Sequence, residues 1–249
     1  MGMYPQIFGV IDSYVVMIIV GILASFALLV FYFKYKKFTK RDVVDLLICS
    51  SFAVAIGIVF ALLFEALYEL KWEWKLTFYG GLFGGIIGFL IVYFFFIRKN
   101  TSMRLDEVYI IAPAAITLGH AFGRVGCFLE GCCYGRETDS WIGIVFPSLN
   151  DGIKRIPTQL FESIFLFVLT IVLLVLIFKF KFKYTFIVYF PSYAIFRFVI
   201  EFFRDDPRGV SGVLSPSQIW SIIILVITIP FYIMQKMLVF KERKENVSE

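Results

Sequence analysis

The stretch "LGHAFGRVGCFLEGCCYGR", Leu118 to Arg136, holds the only histidine of the chain, His120, with three of its four cysteines, two arginines and a glutamate. His120 and Arg124 stand four apart, so on a helix they share a face. Arg197, Glu201 and Arg204 follow at spacings of four and three, again one face. A glutamate between two arginines orients one guanidinium while leaving its other donors for a guest, and the planar fork of arginine suits phosphate. In "IPTQLFES", Thr158 is placed to cap a helix, and Gln159 and Glu162 add two more polar groups near its start. Three arginines with fewer acidic partners leave excess positive charge, which favours an anionic ligand over the alternative in which these groups only glue helices together.

Cys127, Cys132 and Cys133 admit three chemistries. Their spacing is not C-x-x-C and no second Cys or His pair lies elsewhere, which argues against a metal. A disulfide from Cys127 to Cys132 or Cys133 and a thiolate favoured by Arg124 both stay open. Cys49 reads as a small apolar filler. In "FYGGLFGGIIG" the small-xxx-small spacing of Gly80, Gly81, Gly84, Gly85 and Gly88 allows close helix packing. Tyr79 stands just before the first pair, and Gly80–Gly81 would let backbone approach a ligand.

The elements that must carry these residues are set by composition. Of the 249 residues 60% are hydrophobic and only 17% charged, more apolar surface than a soluble fold hides. A membrane-crossing helix needs about 20 mostly apolar residues. Seven runs qualify: Tyr14–Phe33, Val43–Phe64, Phe78–Ile97, Val108–Gly123, Leu160–Phe178, Tyr184–Phe203 and Ile219–Phe240. The fourth is interrupted or bounded by Pro113, His120 and Arg124. The first is preceded by Asp12 rather than a basic region, so it reads as a retained span and not a cleaved signal. The expected fold is an all-α polytopic membrane protein of seven transmembrane helices.

The net charge of +5 lies in short loops rather than in a patch with interleaved aromatics, so nucleic acid is not an expected partner. Lys34–Arg41, Arg98–Arg104, Lys179–Lys183 and Lys236–Lys244 make every second connection basic. The positive-inside rule assigns those to the cytoplasm, with the N-terminus outside and the C-terminus inside. The polar side chains above then collect at the outer ends of the spans, where ionisable groups cost about 2.5–3.5 kcal/mol each on insertion scales and mark function or a buried network. A single domain is expected over 1–240, with a small irregular or β-containing outer cap over about 124–158 and a disordered cytoplasmic tail at 241–249.

With these motifs in order, the chain resembles the prolipoprotein diacylglyceryl transferase family, bacterial seven-span enzymes of the inner (cytoplasmic) membrane. The family signature Gly-Arg-x-Gly-Asn-Phe-x-Asn-x-Glu-x-x-Gly is similar to Gly123-Arg124-Val125-Gly126-Cys127-Phe128-Leu129-Glu130-Gly131-Cys132-Cys133-Tyr134-Gly135, with Cys127, Glu130 and Cys132 in place of Asn, Asn and Glu. "SYVVMIIVGI", "PTQLFES", "YAIFRFVIEFFRDD" and "LSPSQIWSI" resemble further family elements, which marks Tyr14, Tyr193 and Arg197. The family's His-Gly-Gly reads Tyr79-Gly80-Gly81 here.

The resemblance implies transfer of a diacylglyceryl group from phosphatidylglycerol to the lipobox cysteine of prolipoproteins at the outer leaflet. By that comparison Arg124 and Arg197 hold the phosphate, and His120 or Tyr79 removes the thiol proton. Tyr14, Gly80, Gly81, Gly123, Gly126, Gly135, Gln159, Glu162, Tyr193, Glu201 and Arg204 line or support the substrate site. No metal or dissociable cofactor is required. Tyrosine, with a pKa near 10, is a poor base, which makes His120 the replacement candidate. Transfer to a different acceptor, or a non-enzymatic lipid-binding or thiol-redox role, are the alternatives.

Overall fold

The computed structural model describes residues 6–7, 11–69, 78–99, 101, 103, 105–205 and 214–245. The protein is an all-α membrane protein. Among the described residues, seven helices are long and apolar enough to span a bilayer. They are α1 (Ser13–Tyr35), α2 (Lys40–Glu69), α3 (Phe78–Val92), α4 (Leu105–Glu130), α5 (Thr158–Phe178), α6 (Thr185–Ile200) and α7 (Pro216–Glu245). A π-helical turn, Tyr93–Ile97, extends α3, and a 3-10 turn, Glu201–Phe203, extends α6. The chain divides into two compact units, Met1–Ser25 with Asp106–Glu249, and Phe26–Leu105.

The helices expose apolar side chains and bury most of their core as hydrophobic residues, with the polar groups they carry turned inward, where a membrane protein keeps them. On α5, Ile164, Val168, Ile171 and Val175 are exposed at spacings of four, three and four. The opposite stripe of Gln159, Glu162, Ser163, Leu166, Thr170 and Leu173 is buried.

In the first unit, α1 and α4 run antiparallel through contacts that leave no room for side chains. A Cβ on Gly126 would meet Tyr14 Cδ2 at 3.0 Å, and one on Gly21 would meet the Gly119 carbonyl oxygen at 2.9 Å. Ser25 Oγ closes the seam by donating to the Ala115 carbonyl at 2.8 Å. Thr170 Oγ1 meets Thr117 Oγ1 at 2.8 Å and Ser163 donates to the Ala121 carbonyl at 3.1 Å, which sets α5 antiparallel to α4. The pairs Ile110–Thr185 and His120–Tyr193 make α6 parallel to α4. Arg197–Ser217 and Phe186–Phe231 make α7 antiparallel to α6.

Three expectations are corrected. Pro113 does not interrupt the fourth span: α4 runs unbroken from Leu105 to Glu130. Proline supplies no N–H to the carbonyl four residues back, that of Tyr109, and the single Thr185 hydroxyl proton is shared between that carbonyl at 3.2 Å and the Ile110 carbonyl at 2.8 Å. Because α4 continues through Arg124, Gly126 and Cys127, the cap begins after Glu130 rather than at 124. At the other terminus α7 stays helical to Glu245, where a disordered tail from 241 was expected.

The cap contains one short antiparallel pair, β3 (Ile144–Val145) with β4 (Lys154–Arg155). Phe146 is its fully buried anchor, packed against Phe128 and Tyr134. Arg155 lies 5.4 Å over Tyr134 and pairs with Asp151 at 2.7 Å and Glu137 at 3.3 Å. The Ile153 N–H and Arg155 hold the Asp151 carboxyl below the usual carboxylate range. A second short pair, β1 (Gln6–Ile7) with β2 (Ile11–Asp12), precedes α1.

The second unit is built on the glycine face of α3. A Cβ on Gly88 would meet Ile56 Cβ at 2.9 Å, and one on Gly57 would meet the Gly81 carbonyl oxygen at 2.9 Å. The spacing therefore serves α2–α3 packing. Thr39 starts α2 with a reciprocal cap. Its Oγ1 accepts from the Asp42 N–H at 3.2 Å, and Asp42 Oδ2 accepts from the Thr39 N–H at 3.0 Å.

Candidate functional site

A cluster of buried ionisable groups forms at one end of the first unit's bundle. It comes from the C-terminal halves of α4 and α6 and the N-terminal turn of α5, with Ser217 of α7 beside it. Glu162 is the hub and has no exposed surface. Arg124 Nε lies 3.1 Å from its Oε2, Tyr193 OH donates to its Oε1 at 2.9 Å, and His120 Nε2 stands 3.8 Å from the same oxygen. A carboxylate removed from water needs such partners, since an unpaired buried charge costs several kcal/mol.

Arg124 Nε also donates to His120 Nε2 at 3.3 Å. In that contact Nε2 is the acceptor, the role it has in a neutral imidazole. On taking a proton, His120 would exchange this contact for an ion pair with Glu162. The ring is set edge-on to Tyr193 with centroids 5.2 Å apart.

Arg197 forms the second centre. It is 3% exposed, and its Nη2 donates to Ser217 Oγ at 2.8 Å and pairs with Glu201 Oε2 at 2.8 Å. Its Nη1 is buried with no hydrogen-bond partner among the described residues. Arg204 is buried where the chain leaves α6 and bridges Gly135 of the cap. Arg124, Arg197 and Arg204 stand against Glu162 and Glu201, three arginines to two carboxylates.

Gln159 and Thr158 bind the loop after α4 to α5. Gln159 Nε2 donates to the Cys132 carbonyl at 3.0 Å, and Thr158 Oγ1 donates to the Cys133 carbonyl at 2.8 Å. Thr158 therefore secures the loop and does not cap its own helix. Gln159 Oε1 is buried without a partner among the described residues.

The glycines separate by surroundings. Among the described residues nothing lies within 4 Å of a Cβ placed on Gly123, so it has open space beside it. Gly135 is enclosed by Thr158, Ile156 and the Phe203 carbonyl, and Gly126 by Tyr14 and Met17, so these two serve close packing. Tyr14 stands in the first turn of α1, whose N-terminus Asp12 caps by accepting from the Tyr14 N–H at 2.8 Å. Tyr79, Gly80 and Gly81 belong to the second unit, on the first turn of α3; the Tyr79 side chain lies outside the described residues.

All four cysteines are free thiols. The sulfurs of Cys127, Cys132 and Cys133 lie within 4.8 Å of one another. Hydrogen bonds from the Cys127 and Cys132 thiols hold Cys133 well below the ordinary thiol range. The same shared bonds, with burial, push Cys132 up.

Ser217 was not among the residues singled out from the sequence. It lies within "LSPSQIWSI", so its motif was visible, but a serine at a helix start carries no cost that marks it.

Residues 5–234 match the family described as prolipoprotein diacylglyceryl transferase. A phosphatidylglycerol–prolipoprotein diacylglyceryl transferase 2 of Clostridium perfringens is 41% identical over 152 residues, covering 59% of this chain and 58% of that protein. One from Clostridium tetani is 36% identical over 142 residues, 55% of this chain and 56% of its own length. One from Dehalococcoides mccartyi is 28% identical over 156 residues, 61% and 57% respectively. The chain thus spans little more than half the length of these relatives.

Proposed function

The chain belongs to the prolipoprotein diacylglyceryl transferase family, and from that membership and the geometry of the Glu162–Arg197 centre we propose that it moves diacylglycerol from phosphatidylglycerol to the lipobox cysteine of prolipoproteins. The sulfur bonds to the glyceryl carbon that carries the phosphate, the carbon–oxygen bond breaks, and glycerol phosphate departs with the electron pair. No atom changes oxidation state in a way that calls for a redox cofactor. The observation that carries the reading is Arg197. A guanidinium fixed by Ser217 and Glu201, with a buried Nη1 that has no hydrogen-bond partner among the described residues, is a preorganised donor for phosphate.

Arg124 supplies the second positive group, oriented by Glu162. His120 takes the thiol proton at Nε2 and is then stabilised by Glu162. Tyr193 fixes Glu162, and Tyr14 offers a hydrogen bond to the headgroup. The open space beside Gly123 suits the substrate, and Tyr79, with Gly80 and Gly81, is the second candidate for the proton step. The site faces outward from a bacterial cytoplasmic membrane, with the N-terminus outside. This sidedness is supported by the lysines at the α5–α6 connection, at the opposite end of the first unit.

The test is mass analysis of a lipobox peptide incubated with the purified chain and phosphatidylglycerol vesicles. A diacylglyceryl adduct on the cysteine is expected, and an unmodified peptide with well-inserted protein would sink the reading. Cys127, Glu130 and Cys132 at signature positions favour a second reading, transfer to another acceptor. Failure to rescue a strain depleted of its own transferase, with phosphatidylglycerol still consumed, would select it.

A further inference from the structure

We propose that Cys127, Cys132 and Cys133 form a three-thiolate site for a soft monovalent d10 cation of the Cu(I) class. The sulfurs are already within 4.8 Å of one another. A metal–sulfur distance of about 2.3 Å puts the corners of a trigonal plane about 4 Å apart, so closure requires only a small contraction. Linear spacing concealed this arrangement. Cys127 lies on the last turns of α4, and the chain then reverses at Gly131 (φ 74°) and Cys133 (φ 65°), carrying both later thiols back toward it.

The reversal is fixed by groups other than the thiols. Gln159 and Thr158 hold the carbonyls of Cys132 and Cys133, and Ser148 Oγ donates to the Gly131 carbonyl at 3.1 Å. The left-handed Cys133 backbone is an uncommon conformation for a non-glycine residue, kept here by those bonds. The donor set also selects the cation. It is all sulfur, and among the described residues no His, Asp, Glu or further Cys joins it. Structural zinc is almost always four-coordinate, whereas thiolates without oxygen or imidazole suit Cu(I). Cys127 is buried while Cys132 and Cys133 are half-buried, so the cluster is shielded on one side and reachable on the other.

The full chain, purified in detergent under argon with its thiols reduced, is titrated with Cu(I) against a coloured Cu(I) chelator. One equivalent per chain should leave the chelator. Each of Cys127→Ser, Cys132→Ser and Cys133→Ser should weaken uptake by about 100-fold, the top of the range for disturbing a metal shell. Cys49→Ser should not change it. X-ray absorption of the loaded protein should report sulfur-only coordination. No uptake, uptake unchanged in the triple serine variant, stoichiometric Zn(II) without Cu(I), or isolation of the chain with two of these thiols already joined as a disulfide would each overturn the proposal. Binding is read without any transfer assay, so failure of the lipid reaction does not affect it.

Discussion

At the scale of single residues, the site depends on charges held in place by their neighbours. Arg197→Lys keeps the charge but loses the fork that Ser217 and Glu201 fix. Transfer to a lipobox peptide is expected to fall by about 100-fold or more, the worth of a transition-state donor. Ser217→Ala removes one bond to a charged group and should cost about tenfold. His120→Ala and Tyr79→Phe, assayed side by side, separate the candidate bases: loss in the first with activity retained in the second is the expected pattern. Cys133 gives a pH signature. Its thiolate is favoured, so alkylation should persist below about pH 8.5, the ordinary thiol value. Reactivity should be lost only as pH falls through that depressed value, and Cys127→Ala should move the midpoint up. Arg124, Glu162 and Arg197 were legible in the sequence because an ionisable group in an apolar span is costly. The contacts that organise them were not, because Tyr193–Glu162 and Arg197–Ser217 join residues far apart in the chain.

At the scale of elements, glycine pattern and proline position carry different amounts of information. The small-residue spacing on α3 correctly announced close packing, which Gly57 and Gly88 make literal. Pro113 was misleading, because the residue that compensates for it lies on another helix. Thr185→Val should leave the Tyr109 carbonyl without its donor and lower stability by about 1–3 kcal/mol, read as earlier thermal unfolding in detergent. Along α4, Gly126→Leu should separate α1 from α4 and destabilise the fold. Gly123→Ala, facing open space, should fold normally, and any loss it causes should appear in KM for phosphatidylglycerol.

For the molecule as a whole, composition identified the solvent, and the placement of its apolar runs identified the seven spans. A reporter that is active only in the cytoplasm should be active when fused after Glu249 and silent when fused before Met1; the reverse pattern would refute the orientation. The cap was harder to read. Its regular structure is a pair of two-residue strands and a three-residue 3-10 turn at Pro147–Leu149, too short for a periodic pattern to show, and its start was misplaced because α4 continues beyond the last strongly apolar residues. The bond from Thr185 to the Tyr109 carbonyl has a further effect. Sliding α6 by one residue would strip that carbonyl of its partner, so this bond fixes the height of α6 against α4. Arg197 lies twelve residues further along α6, about 18 Å at helical rise. A hydroxyl at one end of the bundle thus acts as the zero mark of a ruler, and the reach of a guanidinium at the other end is measured from it.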